Sequence, residues 1–167
     1  MAKIYKRKLI FDNAVFSNFS RINKLELIYH LSSHIITTKE VVEEVKRGLN
    51  RRPALQSIID AIDQELIALG GIEQLENIST AAGLLRRGQL GMGEISTMLL
   101  ALEIDGIFIT DDERATKTAI ELGVDTLDAE EFRDTVTILN VLKKNKVISE
   151  QERKEIVELL KGQNFII

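Results

Sequence analysis

Gly106-Ile107-Phe108-Ile109-Thr110-Asp111-Asp112 is an apolar run closed by two acids, and its reading decides the fold. Bulky apolar residues in unbroken succession mark a strand buried on both faces, the environment of a parallel sheet covered by helices. Leu9-Ile10-Phe11-Asp12-Asn13 repeats the pattern near the N-terminus. In an open parallel sheet, ligands bind beyond the carboxyl ends of the strands. Carboxylates placed there have one common use, the holding of a hard divalent cation such as Mg²⁺ through oxygen.

Outward from these runs, the chain alternates strand and helix signals. Residues 14–31 read as helical with a break near Ser20, and Ile35-Ile36 with its flanking threonines reads as a strand. Thr37 with Glu40 forms a capping-box pattern opening a helix that Gly48 and the segment through Pro53 stop. Leu55, Ile58, Ile59, Ile62, Leu66 and Leu69 keep helical spacing over 54–69, with Gly70-Gly71 as the stop. With one or two short helices over 72–90, this middle stretch reads as a helical insertion without strand signals. Gly91-Met92-Gly93 leads into another helix carrying Ile95, Met98, Leu99 and Leu102. After the decisive strand come a helix to Leu122 closed by Gly123, a strand over 124–127 and a helix over 130–144. Ser149 with Glu152 opens a C-terminal helix to Lys161, and Phe165-Ile166-Ile167 reads as a last strand. The expectation is an α/β chain with a central parallel sheet between helical layers. No repeat, linker or low-complexity tract divides the 167 residues, so one domain is expected.

Composition narrows the chemistry. Hydrophobic residues make up 44%, enough for a proper core, and the charged 29% interleaves both signs, which argues against disorder. The absence of cysteine excludes disulfides, thiolate metal sites and cysteine nucleophiles, and two histidines, His30 and His34, are too few for most zinc hydrolase sites. A net charge of −4 shows no strongly basic nucleic-acid face at whole-chain level. Bound cations would offset that charge locally, so a nuclease remains compatible. No apolar run reaches membrane-spanning length, and the basic N-terminus is a poor signal peptide, so a soluble cytoplasmic protein is expected.

Each candidate acid has an ordinary reading beside the functional one. Asp12 sits where a turn or helix cap would use it. Glu43 has Lys39 and Arg47 four residues away on either side and reads as a solvated salt-bridge residue. Glu44 has Glu40 four before it and shares an edge of the apolar face, so it gains more from a cation. Glu94 lies in a first helical turn, where the macrodipole alone favours an acid. Of the adjacent Asp111 and Asp112, one caps the following helix and the other is free to bind, and spacing leaves the choice open. Thr110, Asn13 and Ser17 are available to support such a site by hydrogen bonding. Arg51, Arg52, Arg86, Arg87, Lys143, Lys144 and Lys146 are candidates to hold a nucleic-acid strand, with solvated surface charge as their ordinary role.

Taken in order, Leu9-Ile10-Phe11-Asp12-Asn13, Val41-Val42-Glu43-Glu44-Val45, Gly93-Glu94 with Ala101 seven residues on, and Ile109-Thr110-Asp111-Asp112 resemble the PIN-domain family of metal-dependent ribonucleases. The resemblance covers nearly the whole chain. Its Gly-Glu opening, Thr-Asp-Asp-x-x-Ala element and helical tail after Thr135 look most like a prokaryotic subgroup related to VapC-type toxins. The resemblance implies a three-layer α/β/α sandwich, a pocket for Mg²⁺ or Mn²⁺, and cleavage of single-stranded RNA, often by the toxin of a toxin–antitoxin pair. It implies Asp12 and Glu94 as principal metal ligands, Asp112 completing the site, Glu44 nearby, and Asp111 as the alternative acid. An antitoxin protein and a second copy of the chain, as a homodimer, are the implied partners. The chain departs from the family in carrying Glu94 where many members have Asp, and Glu113-Arg114-Ala115 in place of the usual acid–aromatic ending.

Three other readings compete. A phosphorylatable receiver wants an acid pair after its first strand, where this chain has Asp12-Asn13, and a haloacid-type phosphatase wants Asp at position 14, where this chain has Ala14. A catalytically inactive PIN-like module that binds nucleic acid or protein is the remaining alternative.

Overall fold

The computed structural model describes residues 2–128 and 130–165. Five parallel strands form one sheet: β1 (Leu9–Phe11), β2 (Ile35–Thr38), β3 (Ala68–Gly70), β4 (Ile107–Ile109) and β5 (Asp125–Thr126). Their spatial order is β3-β2-β1-β4-β5. The helices are α1 (Asn13–Arg21), α2 (Lys39–Gly48), α3 (Gln56–Asp63), α4 (Leu75–Arg87), α5 (Met92–Glu103), α6 (Glu113–Glu121), α7 (Asp134–Lys144) and α8 (Glu150–Gly162). Short 3-10 helices cover Leu25–His30 and Pro53–Leu55.

The period-2 alternation of strands sorts the core into two layers. Leu9, Phe11, Ile107 and Ile109 face a cluster that includes Val15, Phe16, Phe19, Ile138 and Leu160. Ile10 and Phe108 face the opposite cluster with Ile95, Met98, Leu99, Ala115 and Ala119. All of β1 and β4 is buried, which is why both read as unbroken apolar runs. The result is the α/β/α sandwich expected. Gly106 admits the close approach of β1 to β4, since a Cβ there would lie 2.1 Å from Ile10 Cδ1 and 3.1 Å from the Lys8 carbonyl oxygen.

Strand order positions the site. From β1 the chain builds outward through β2 and β3, and from β4 it builds the other way through β5. The crevice between β1 and β4 is therefore the topological switch point, the place where such sheets bind ligands. Phe11 pairs with Ile109, so Asp12 and Thr110 leave the sheet side by side.

Several local expectations need correction. The middle stretch is not a purely helical insertion: α3 stops at Asp63, Glu65 takes a left-handed conformation at φ 60°, and Ala68–Gly70 pairs with β2 as an edge strand. Leu66 and Leu69, placed on the helix by their spacing, belong to the approach and centre of that strand. The cap of α2 is Thr38, whose side chain accepts from the Val41 N–H, while Thr37 donates its hydroxyl to the Phe11 carbonyl. The first helix runs through Ser20 to Arg21, and the chain turns at Asn23 with φ 55°. The helix expected from 130 begins only at Asp134. A terminal strand over 165–167 falls mostly outside the described residues, and Phe165 itself is not in a strand. The capping box of α8 forms as its sequence dictates, Ser149 and Glu152 each accepting the other's backbone N–H. No helix among the described residues is long and apolar enough to cross a membrane.

Candidate metal centre

Asp12 is the buried centre of the site, 4% exposed. It caps α1, its Oδ1 accepting from the Asn13 N–H, and its Oδ2 accepts from the Thr110 hydroxyl at 3.0 Å. The Thr110 oxygen accepts in turn from the Asp112 N–H at 3.1 Å, so the ends of β1 and β4 are tied through one hydroxyl. Burial pushes the Asp12 carboxyl from its ordinary 3.8 up to about 7, with the charges of Glu94 and Glu44 adding to the effect against the two donors.

Glu94 reaches the cleft from the first turn of α5. Its carboxylate accepts from the Gly91 N–H at 2.9 Å, half of a capping box that aims it at the sheet edge. Burial raises its pKa first, and the charges of Asp112 and Glu44 raise it further, while the Gly91 bond lowers it. Glu44 comes from α2. Its two oxygens accept from the Gly93 N–H at 3.1 Å and the Asn13 amide at 3.4 Å. Ser17 donates to Asn13 Oδ1 at 2.8 Å and fixes that amide. Position 93 has to be glycine for this contact, because a Cβ would stand 2.6 and 2.7 Å from the Glu44 oxygens.

The adjacent acids at the end of β4 part company. Asp112 caps α6, one oxygen accepting from the Ala115 N–H at 2.8 Å, and its charge acts on Glu94. Asp111 is consumed by structure: it accepts from Asn18 Nδ2 at 2.8 Å, from the Thr135 N–H at 2.8 Å and from the Thr135 hydroxyl. These bonds dock the start of α7 against α1. The expected division, one acid capping and the other free, does not hold: Asp112 caps, Asp111 is more fully bonded, and Asp112 therefore has the freer carboxylate of the two. Beside Asp111 lies an acid that sequence reasoning misses. Asp134, 3% exposed, accepts from the Thr110 N–H at 2.9 Å. Burial, then the charges of Asp111 and Asp128, push it up to about 8. Its only signal in the sequence is that of an acid in a first helical turn.

Asp12, Glu44 and Glu94 line one cleft of about 460 Å³, together with Asn13, Ser17, Asn18, Arg21, Arg52 and Gly91. Of the basic residues that the sequence offers as strand-holding candidates, Arg52 is there, whereas Lys143 pairs with Glu150 on another face. Arg21 is an addition that the sequence does not single out. Among the described residues, none of Asp12, Glu44, Glu94, Asp111 and Asp112 has a Lys or Arg within salt-bridge distance. The donor set is hard oxygen with uncompensated negative charge at the buried end, which fits Mg²⁺ or Mn²⁺. Among the described residues, however, no three acid or histidine side chains are gathered tightly enough to enclose an ion as they stand. Mg²⁺ tolerates that looseness, since it binds through one or two carboxylates and keeps several waters.

A family profile described as a PIN domain matches residues 8–167, from just before β1 to the end of the chain. No curated protein matches the chain significantly.

Proposed function

The chain belongs to the PIN-domain family, whose members are generally nucleases, and from that premise we propose that it is a metal-dependent endoribonuclease acting on single-stranded RNA. One observation carries the reading: carboxylates from the end of β1, from α2 and from α5 line one cleft at the switch point of the sheet, and among the described residues none of them has a salt-bridge partner. Asp12, Glu94 and Asp112 are the proposed holders of Mg²⁺ or Mn²⁺, with Glu44 beside them and Asp111 as a docking residue. A divalent ion held there would supply neutralisation of the scissile phosphate and acidification of the attacking water. The chain's own part is positional. Thr110 holds Asp12 and the Asp112 backbone in one frame, the Gly91 N–H orients Glu94, and the Gly93 N–H with Asn13 orients Glu44. No histidine takes part.

Cleavage of a labelled single-stranded oligoribonucleotide in Mg²⁺ or Mn²⁺ tests the assignment, with Asp12→Asn expected to abolish turnover. Equal turnover in both proteins rejects it. The toxin role implied by the family resemblance is part of the proposal and has its own test. Induced expression of the wild-type chain would arrest bacterial growth and that of Asp12→Asn would not. An antitoxin partner and a homodimer belong to the same reading.

The looseness of the acid set favours one second reading, an inactive module that binds nucleic acid or protein. A thermal midpoint unmoved by millimolar Mn²⁺ would select it, because a ligand that binds only the folded state must stabilise that state.

A further inference from the structure

The cleft is bipolar. Its buried end is acidic, and two of its remaining lining residues are Arg21 and Arg52. One face of α1 runs along it: Asn13, Ser17 and Arg21 recur every four residues and all line the cleft. At 1.5 Å per residue, Arg21 is rooted roughly 12 Å along the helix from Asn13. Arg52 is brought beside it because the loop after α2 docks on the end of α1, where the Ser20 hydroxyl donates to the Ala54 carbonyl at 2.6 Å.

Nothing within the described structure neutralises this pair. Among the described residues, neither arginine has a carboxylate within salt-bridge distance. Burial, and after it the nearby charge of Arg52, disfavours the charged form of Arg21. Arg21 is held in place by neutral oxygens alone, its Nη2 donating to the Gln163 carbonyl at 2.8 Å and to Gln163 Oε1 at 3.2 Å. Two like charges kept together at a cleft wall match a bound anion, and the planar guanidinium fork matches phosphate.

We propose that Arg21 and Arg52 form a phosphate-holding subsite that grips the substrate strand beside the cleavage position. The inference rests on the nuclease reading and sharpens it: the preferred substrate carries a phosphodiester flanking the scissile one. The arginines act by binding, so they set KM more than kcat.

The test compares the full-length chain with Arg21→Gln/Arg52→Gln, Arg21→Lys/Arg52→Lys and Gln163→Ala. Steady-state cleavage of an oligoribonucleotide in Mn²⁺ gives KM and kcat. Fluorescence anisotropy across a salt series, in an Asp12→Asn background, gives binding without turnover. The glutamine pair is expected to raise KM tenfold or more and to leave kcat within about twofold. It should also lower the slope of log affinity against log salt by about 0.7 for each phosphate no longer neutralised. The lysine pair keeps the slope and gives up part of the affinity, and Gln163→Ala keeps both. An unchanged KM and slope in the glutamine pair, with the wild type active, overturns the subsite alone. A Gln163→Ala protein that reproduces the loss also overturns it, by assigning the effect to tail docking. A wild type that neither binds nor cleaves the oligonucleotide overturns the nuclease reading, and the subsite falls with it.

Discussion

Replacing Asp12 by asparagine should make the metal-free protein more stable while removing its response to metal. The carboxyl is raised from 3.8 to about 7, chiefly by burial and then by Glu94 and Glu44. An acid raised in the folded state binds more protons folded than unfolded. Its contribution is therefore intact below about pH 4 and is lost as pH rises through about 7. At about 1.36 kcal/mol per tenfold change in proton affinity, the full loss is about 4 kcal/mol near pH 8. Asparagine removes that penalty. Its Oδ1 still accepts from the Asn13 N–H, but its Nδ2 cannot accept from the Thr110 hydroxyl, a loss of about 1–2 kcal/mol. The net gain at pH 8 is about 2–3 kcal/mol, or roughly 5–10 °C in Tm for a chain of this size. It should vanish near pH 5, where the penalty has shrunk to about 1–2 kcal/mol and the lost Thr110 bond offsets it. Thermal melts in EDTA from pH 5 to 8 read this difference. Mn²⁺ should reverse the order once it is saturating, because an ion at a thousand times its Kd adds about 4.1 kcal/mol to the wild type alone. A variant that melts below wild type at pH 8 in EDTA, or a difference that does not change with pH, refutes the reasoning.

Gly93→Ala places a methyl 2.6 Å from a Glu44 oxygen, so that carboxylate must swing away from the Gly93 N–H. The Mn²⁺-induced rise in Tm and the cleavage rate should both fall while the melt in EDTA stays within about 1–2 kcal/mol of wild type, and an unchanged Mn²⁺ response would remove Glu44 from the site. Asp111→Ala leaves Asn18 and Thr135 donors without their acceptor at the docking of α7. Urea denaturation should show a loss of about 2–4 kcal/mol, with the Mn²⁺ response retained by the folded fraction. Asp112→Asn is expected to do the opposite: asparagine caps α6 nearly as well, so stability holds within about 0.5 kcal/mol while cleavage drops. Gly106→Ala drives a Cβ into Ile10 Cδ1, and urea denaturation should report a cost of about 1–3 kcal/mol from overpacking between β1 and β4.

What can be read from the residues depends on how local the determining interaction is. β1 and β4 are legible because burial on both faces writes itself as consecutive apolar residues, and the acids after them follow from the end of the strand. β3 is not legible. It is an edge strand whose Leu69 is 52% exposed, and its apolar residues continue the helical spacing of α3 without a break. The stop that separates them is Glu65 in a left-handed conformation, a role glycine or asparagine would have announced. The same limit applies within the site. Asp12, Glu44, Glu94 and Asp112 each sit at a recognisable end or edge; strand order sets Asp12 beside the end of β4, and the packing of α2 and α5 brings Glu44 and Glu94 into the same cleft. The choice between Asp111 and Asp112 depends on Asn18, 93 residues away, and on Thr135, 24 residues away. Arg21 reads as an ordinary basic residue at a helix end, and only the docking of the loop that carries Arg52 turns it towards a function. Strand ends thus mark where chemistry can occur, while the partners that hold each side chain decide which acid is left free to perform it.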